Sequence, residues 1–244
     1  MKLRLSLYAL ALSIMVSFIS CDPAMVGGIL NGIPSSPALS NAEVIEGLRE
    51  ALKVGTGKAV NFTSVTDGFW KNPLIKIPFP AEAEKVKTTA LNLGLNAQVE
   101  KFEMNLNRAA ERAAKEATSV FVNAITQMTI EDGFKILKGD STAATTYLNN
   151  ATRTELTTKF SPIVQKAIDE VNLTSFYEPL ASAYNTSTIF TGGQAVNPDL
   201  NAYVTQKALD GLFHYVASEE KKIRKDPAAR VSEILRKVFG SLDN

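Results

Sequence analysis

The residues with the clearest capacity for chemistry are an arginine and a glutamate three positions apart in the segment NLNRAAE. Arg108 and Glu111 share one side of a predicted helix, and the alanines beside them allow another helix to approach closely. A buried arginine needs an anionic partner, because an unpaired charge is costly to remove from water. We therefore predict a polar cluster, which is either a structural network or a polar site in an apolar cleft, and its candidate members are Arg108, Glu111, Asp132, Tyr203, Lys207 and Asp210.

A second concentration of charge lies in ASEEKKIRKDPAAR, where two successive predicted helices meet. One interpretation is a solvated helix face stabilised by ion pairs three or four residues apart. The other is a corner that binds a partner or an anion, since arginine can hold a carboxylate or phosphate with two hydrogen bonds. The residues of this candidate interaction corner are Glu219, Glu220, Lys222, Arg224, Asp226 and Arg230.

Other reactive combinations are poorly supported by the sequence. Tyr203, Lys207 and Asp210 can share one helix face, but the reductases that use a Tyr–Lys pair also need a nucleotide-binding sheet, which this sequence does not predict. His214 is the only histidine, it lies within an amphipathic helix, and no G-x-S-x-G turn accompanies it. One histidine and one cysteine are too few for a typical zinc site, and no phosphate-binding glycine loop is present. We therefore predict no metal, no cofactor and no catalytic residues.

The single cysteine, Cys21, ends an N-terminal segment that resembles a bacterial lipoprotein signal. Lys2 and Arg4 precede an uncharged stretch over 5–19, which is too short for a membrane span of about 18 residues and suits a secretory signal. Ser20 is the small residue expected before a lipidated cysteine. The resemblance implies cleavage before Cys21 and lipid attachment to it; the alternative is an ordinary exported protein in which this cysteine is incidental.

The charge balance argues against a protein that binds nucleic acid. The chain has 26 basic and 25 acidic residues, and removal of residues 1–20, which include Lys2 and Arg4, leaves 24 basic residues against 25 acidic ones. A nucleic-acid binder would show a strongly basic balance. We expect membrane attachment through Cys21, a periplasm-facing position and a possible envelope protein partner. Asp22 favours inner-membrane retention in enterobacteria, but this rule varies between phyla, and the lack of an acidic run after Cys21 argues against export to the cell surface. We favour the outer membrane and leave the choice open.

The elements that would position the polar groups are helices. Residues 1–20 are predicted as the signal, 21–39 as a flexible tether, 40–240 as one multi-helix, bundle-like domain of the all-α class, and 241–244 as a tail. Capping boxes begin helices at Ser40 and Thr129, and Asn197-Pro198 and Asp226-Pro227 predict two further starts. One long helix is expected from Asn96 to about residue 128, while a helix after Ser141 or Thr142 could divide at Pro162. We also expect a loop after Tyr184.

One segment cannot be a regular helix. DGFWKNPLIKIPFP, over about 67–80, contains three prolines, which remove backbone donors and interrupt helices. We predict an ordered, extended crossover that tucks apolar side chains against the helices, namely those of Phe69, Trp70, Ile75, Ile77 and Phe79.

Several of these segments together resemble DUF4197, a family of bacterial envelope proteins of unknown function. The segments are DGFWKNPLIKIPFP, NRAAERAAKEA, QMTIEDGFKILKGDSTAATTYL, KFSPIVQKAIDEV and NPDLNAYVTQKALDGLFHYVASEEKKIRKDPAARVSEILRKVFG. The resemblance extends over about residues 40–240. It implies an exported, often anchored bacterial protein with one helical domain, and it brings no established activity.

Three classes of function follow, in order of preference. The first is a non-enzymatic interaction or structural module that uses the charged corner near Arg224 and Arg230. The second is a carrier of an apolar small molecule or lipid in a cavity near Trp70, Phe102 and Phe213. The third is an enzyme with a carboxylate–arginine site at Arg108 and Glu111.

Overall fold

Nine α-helices and one short 3₁₀ turn account for most of the part of the chain that the structure describes. This computed structural model describes residues 40–80, 84–170, 173–192, 195 and 199–240, and no strand occurs among them. The described residues all lie in one compact unit, Leu39–Asn244, and the fold is all-α, as the sequence predicts. The predictions for residues 1–39, including Cys21, and for the tail at 241–244 fall outside the described residues.

The helices follow one another through mostly short connections. Their bounds are α1 Asn41–Thr63, α2 Glu84–Asn92, α3 Asn96–Ala114, α4 Ala117–Gln127, α5 Ile130–Lys138, α6 Ala143–Glu170, α7 Leu173–Thr191, α8 Leu200–Lys225 and α9 Glu233–Gly240, with the 3₁₀ turn at Pro227–Ala229 before α9. Helix α8 packs against α1, α3 and α6, and α6 also packs against α3 and α4. Among the described residues, no helix combines the length and the apolar character needed to cross a membrane.

Local capping signals are confirmed where the side chain acts on its own helix. The Ser40 hydroxyl accepts from the Glu43 amide, and the Glu43 carboxylate accepts from the Ser40 amide, which completes the predicted capping box of α1. Thr129 and Asp132 form the same reciprocal pair at the start of α5. Gly94, with φ near +80°, ends the turn after α2 in the left-handed conformation that glycine tolerates.

Two predicted helix starts are wrong in detail. Helix α8 begins at Leu200, and its cap is Asp199, whose carboxylate accepts from the Ala202 amide at 2.9 Å. Asp226 does cap a proline-led turn, but that turn is the 3₁₀ segment Pro227–Ala229, and α9 begins later at Glu233.

Three predicted helix boundaries are also wrong. The long helix after Asn96 ends at Ala114, and a new helix begins at Ala117. Pro162 does not divide α6, which is continuous over Ala143–Glu170. Helix α7 continues to Thr191, through much of the segment predicted as a loop. Propensity and pattern do not settle these points because packing against other helices decides whether a marginal turn stays helical.

The proline-rich crossover between α1 and α2 supplies much of the core. Phe69, Ile75, Ile77 and Phe79 are buried, and Trp70 is half-buried with the Lys76 ammonium 4.0 Å from its ring centroid. Residues 66–71 and 73–75 of the crossover form turns, so the predicted extended geometry is wrong for this part. Residues 76–80 form no turns.

Gly211 marks the closest approach of α8 to this crossover. A β-carbon at this position would lie 2.6 Å from Cε1 of Phe69 and 3.1 Å from Cβ of Ile75. Gly57, in the interior of α1, has no atom within 4 Å of the corresponding position. Glycine is therefore required by packing at Gly211 but not at Gly57.

We predict opposite effects for alanine at these two glycines. Gly211→Ala should lower the free energy of unfolding by about 1–2 kcal/mol, because overpacking outweighs the gain in helix propensity. Gly57→Ala should raise it by up to about 1 kcal/mol. Urea denaturation of both variants measures the difference, and a Gly211→Ala protein as stable as Gly57→Ala would contradict the packing at this crossing.

The two ends of the folded body are joined by an ion pair between Glu43 on α1 and Lys237 on α9. The hydrogen bond from Lys237, and then the amide and hydroxyl of Ser40, lower the pKa of Glu43 from 4.5 to about 2. Because the folded-state pKa is depressed, the ionised carboxylate stabilises the fold above about pH 4.5. That contribution is lost as the pH falls toward 2.

We therefore predict that Glu43→Gln reduces the acid sensitivity of the protein. The decrease in unfolding free energy between pH 6 and pH 3 should be smaller in this variant than in the unmodified chain. Lys237→Met, which removes the partner, should have the same direction of effect. Urea denaturation at the two pH values tests this, and an unchanged decrease in Glu43→Gln would refute it.

Candidate functional site

Arg108 is held between two carboxylates on the side of α3 that faces the crossover. Its Nη1 donates to Oε2 of Glu111 at 2.7 Å, as the spacing predicts, and its Nη2 donates to Oδ1 of Asp67 at 2.6 Å. Asp67, which has a positive φ of 69°, was not among the predicted partners. Lys71, and then Arg108, hold the pKa of the Asp67 carboxyl below its ordinary value.

The second oxygen of Glu111 binds the main chain of the crossover. Its Oε1 accepts from the amides of Phe69 and Trp70 at 3.1 and 3.2 Å, and the side chain is only 5% exposed. Both oxygens of this buried carboxylate are therefore occupied by donors from the protein. Glu111 thus attaches the backbone of the crossover to α3, and it has little capacity left to exchange a proton with a ligand.

Two more side chains on α3, spaced one helical turn apart, also bind the backbone of the crossover. Asn107 accepts from the Ile77 amide and donates to the Ile77 carbonyl, both at 2.8 Å. Glu103 accepts from the Phe79 amide at 3.3 Å and pairs with Lys87 at 2.9 Å. We call Glu103, Asn107 and Glu111 the α3 ladder.

Glu103 and Asn107 were not among the residues predicted from the sequence to form a polar cluster. The available signal was the spacing of Glu103, Asn107 and Glu111 at i, i+4 and i+8 on a helix beside a proline-rich segment. Such a segment needs side-chain partners for its backbone groups, because it has no helix or sheet to supply them.

Much of the predicted interaction corner lies inside the protein, where its side chains bind the ends of neighbouring helices. Oε1 of Glu220 accepts from the Ala144 amide at 3.0 Å and Oε2 from the Thr145 amide at 2.8 Å, so Glu220 caps the N-terminus of α6. Nη2 of Arg224 donates to the Ile136 carbonyl at 2.7 Å near the C-terminus of α5, and Nε donates to Glu220. A carboxylate thus faces a positive helix end and a guanidinium a negative one, which is the favourable arrangement of both charges.

The remaining members of the corner divide between the interior and the surface. Arg230 is buried, and its Nε and Nη2 donate to the carbonyls of Ile223 and Arg224 at the end of α8. Asp226 caps the 3₁₀ turn. Lys222 extends into solvent and pairs with Glu219 at 2.5 Å. These charged side chains are neighbours in the sequence but have different contacts in the structure. Arg224 and Arg230 donate to backbone carbonyls, whereas Lys222 forms an ion pair at the surface.

The six members of the predicted polar cluster do not converge on one point. The Asp132 carboxylate accepts from the amide of Thr129, the N-cap of α5, whereas Asp210 pairs with Arg153 at 2.6 Å. Tyr203 donates its hydroxyl to the Pro78 carbonyl at 3.1 Å, and the Lys207 ammonium lies 6.0 Å from the Tyr203 ring centroid.

Tyr203, Lys207 and Asp210 do share one face of α8, as predicted. Lys207, Asp210 and His214 line an open groove of about 300 Å³ against the crossover residues Leu74–Pro78. Neither Arg108 nor Glu111 lines this groove.

One apolar pocket between the described helices is small. It lies between α1, α6, α8 and α9 and has a volume of about 20 Å³, which is room for about one water molecule. The residues named for a carrier cavity do not line it. Phe102 instead packs against Phe79 with ring centroids 4.7 Å apart, and Phe213 packs edge-on against Phe121 at 5.7 Å.

A larger groove, which the sequence analysis did not predict, runs along the surface between α1 and α8. Its volume is about 490 Å³, and the Phe62 and Tyr215 rings that line it stack with centroids 4.3 Å apart and planes inclined by 24°. We call it the aromatic groove, and its lining residues are Lys58, Asn61, Phe62, Val65, Tyr215, Glu219 and Lys222.

Metal-binding groups do not come together in the described part of the chain. Across residues 40–80, 84–170, 173–192, 195 and 199–240, no three His, Cys, Asp or Glu side chains are placed to hold one ion.

Comparison with known proteins identifies one family. The model of a family described as a protein of unknown function, DUF4197, matches residues 38–240. No curated protein and no solved structure matches the chain. The family match covers the whole helical body.

We predict that removing the Glu111 carboxylate from the α3 ladder strongly destabilises the fold. Glu111→Ala leaves the amides of Phe69 and Trp70 without their acceptor and removes one of the two carboxylates that bind Arg108, and the free energy of unfolding should fall by about 2–5 kcal/mol. Glu131→Ala is the matched control, since Glu131 is an exposed residue of α5 paired with Lys135, and it should cost less than about 0.5 kcal/mol. Urea denaturation compares the two, and equal losses would contradict the bracing role of Glu111.

Proposed function

The chain belongs to the DUF4197 family of proteins of unknown function, and we propose that this member is a lipid-anchored envelope protein whose helical body works by binding a partner. The observation that carries the proposal is the use of the buried charged groups. Glu111 and Glu220 accept from main-chain amides, while Arg224 and Arg230 donate to main-chain carbonyls. These groups stabilise the body, which leaves its surface to act on other molecules.

The two alternative functions have less support. An enzyme with a carboxylate–arginine site would need Arg108 and Glu111 beside an open cleft with a third reactive group. Instead, Glu111 is buried, and both of its oxygens accept hydrogen bonds from the protein. A carrier would need an apolar cavity of at least several hundred cubic ångströms. The apolar pocket between α1, α6, α8 and α9 holds about 20 Å³, and neither Phe102 nor Phe213 lines it.

The proposed location rests on the N-terminal sequence. The short basic start, the uncharged stretch over 5–19 and the Ser20–Cys21 pair are features that direct a chain to the envelope and attach it by lipid. The protein would then face the periplasm, with the outer membrane as the favoured site of attachment. Residues 21–39 would serve as a tether, and at about 18 residues a flexible tether spans on the order of 23 Å.

Mass spectrometry of the protein purified from native envelopes tests this proposal. The mature N-terminal peptide should begin at Cys21 and carry the added mass of acyl chains. Cys21→Ser should move the protein from the membrane fraction to the soluble fraction, because it removes the attachment site. Ser36→Ala, within the predicted tether, is the control and should remain in the membrane fraction. An unmodified Cys21 in a protein that stays membrane-bound would refute the lipid anchor.

A further inference from the structure

We propose that the aromatic groove binds an acidic peptide segment of a partner protein, in which a carboxylate lies two or three residues from a large apolar side chain. This inference rests on the proposed binding role and specifies the site and the chemistry of the partner. Two facing stripes build the groove. Lys58, Asn61 and Phe62 follow one another at helical spacing on α1, Val65 lies just beyond the last residue of this helix, and Tyr215, Glu219 and Lys222 lie at helical spacing on α8.

One end of the groove is apolar and open to solvent. Phe62 is 50% exposed and Val65 is 54% exposed, although both are large apolar side chains. The stacked Tyr215 ring extends the same surface. Burying aromatic side chains of this kind supplies most of the binding energy at many interfaces, and the exposed end of this groove therefore suits an apolar side chain of a partner.

The other end of the groove carries a positive excess. The ammonium groups of Lys58 and Lys222 lie 3.9 and 2.5 Å from the two oxygens of Glu219, and the lysine side chains are 46% and 56% exposed. Among the described residues that line the groove, Glu219 has the only carboxylate. Two cations therefore share one anion, and a second carboxylate from a partner would balance the charge.

The length of the groove sets the spacing in the partner. With a rise of 1.5 Å per residue, Lys58 lies about 6 Å from Phe62 along α1, and Val65 extends the apolar end beyond the last residue of this helix. An extended peptide advances about 3.3 Å per residue. A carboxylate at the lysine end therefore places the residue two or three positions away over the apolar end.

The groove is formed before any partner arrives. Helix α1 lies directly beside α8 at Gly55, where a β-carbon would be in ordinary van der Waals contact with Cβ of Glu219 at 3.7 Å. Nδ2 of Asn72 donates to the Tyr215 hydroxyl at 2.5 Å and fixes that ring from the crossover side. A site held in its binding conformation loses less entropy when a ligand binds.

Fluorescence anisotropy with labelled heptapeptides tests the proposal on the full-length protein in detergent. The probe Gly-Ser-Glu-Ala-Phe-Ser-Gly has the proposed spacing; one comparison peptide replaces its Glu with Lys and another replaces its Phe with Ser. We expect the probe to bind roughly fivefold more tightly than the Lys peptide and about tenfold more tightly than the Ser peptide. Equal affinity for all three peptides would overturn the proposal.

Surface variants locate the binding. Phe62→Ser should weaken binding of the probe about tenfold, and Lys58→Glu or Lys222→Glu about fivefold or more. Val122→Ser, an exposed apolar residue of α4, and Lys166→Glu, an exposed lysine of α6, are the matched controls and should leave the affinity unchanged. Probe binding that is insensitive to Phe62→Ser would overturn the proposal, as long as the melting temperature shows that the variant is folded.

Two other occupants would also overturn it. Phe62-dependent binding to phosphatidylglycerol vesicles, without a preference among the peptides, would assign the groove to lipid. Phe62-dependent dimerisation in sedimentation would assign it to a second copy of the chain. Failure in the peptide assay with an acylated Cys21 would refute the acidic-peptide site and leave the lipid anchor intact, so the two proposals can fail separately.

Discussion

The structure depends on satisfying the backbone of a segment that cannot satisfy itself. The crossover between α1 and α2 contains three prolines and lies partly in the core, where an unpaired amide costs as much as a lost hydrogen bond. The α3 ladder supplies the acceptors that no neighbouring strand or helix provides. With its amides bound in this way, the crossover can place Phe69, Ile77 and Phe79 against the helices. One polar helix face thus makes an apolar core possible.

The same solution appears at the helix ends on the other side of the body. Helix α6 begins inside the protein, so its first amides need an internal acceptor, and Glu220 of α8 provides it. Arg224 then compensates the charge of Glu220 and binds the last carbonyls of α5. Buried charges in this protein therefore act mainly on the main chain. A dense run of charged residues in the sequence is consequently a poor guide to where a ligand binds.

Sequence reasoning succeeded where the determining contacts are local. The capping boxes at Ser40 and Thr129 and the Arg108–Glu111 pair depend on residues three apart, and the structure contains all three. It failed where distant segments decide the outcome. Asp67 reaches Arg108 across 41 positions, and the Glu220 cap on Ala144 spans 76. The aromatic groove was missed for the same reason, because its two stripes become one surface only when α1 lies against α8.

The ion pair between Glu43 and Lys237 joins residues 194 positions apart. Because Glu43 lies in the first turn of α1 and Lys237 lies in α9, the first and the last helix of the body are in contact. A short linker between its ends would therefore keep the packing, and the chain could be opened instead after α2, where nothing lies within 4 Å of a β-carbon built at Gly94. Lys58 is about 22 Å along α1 from this junction. The junction of the two ends and the aromatic groove therefore lie at different places along α1.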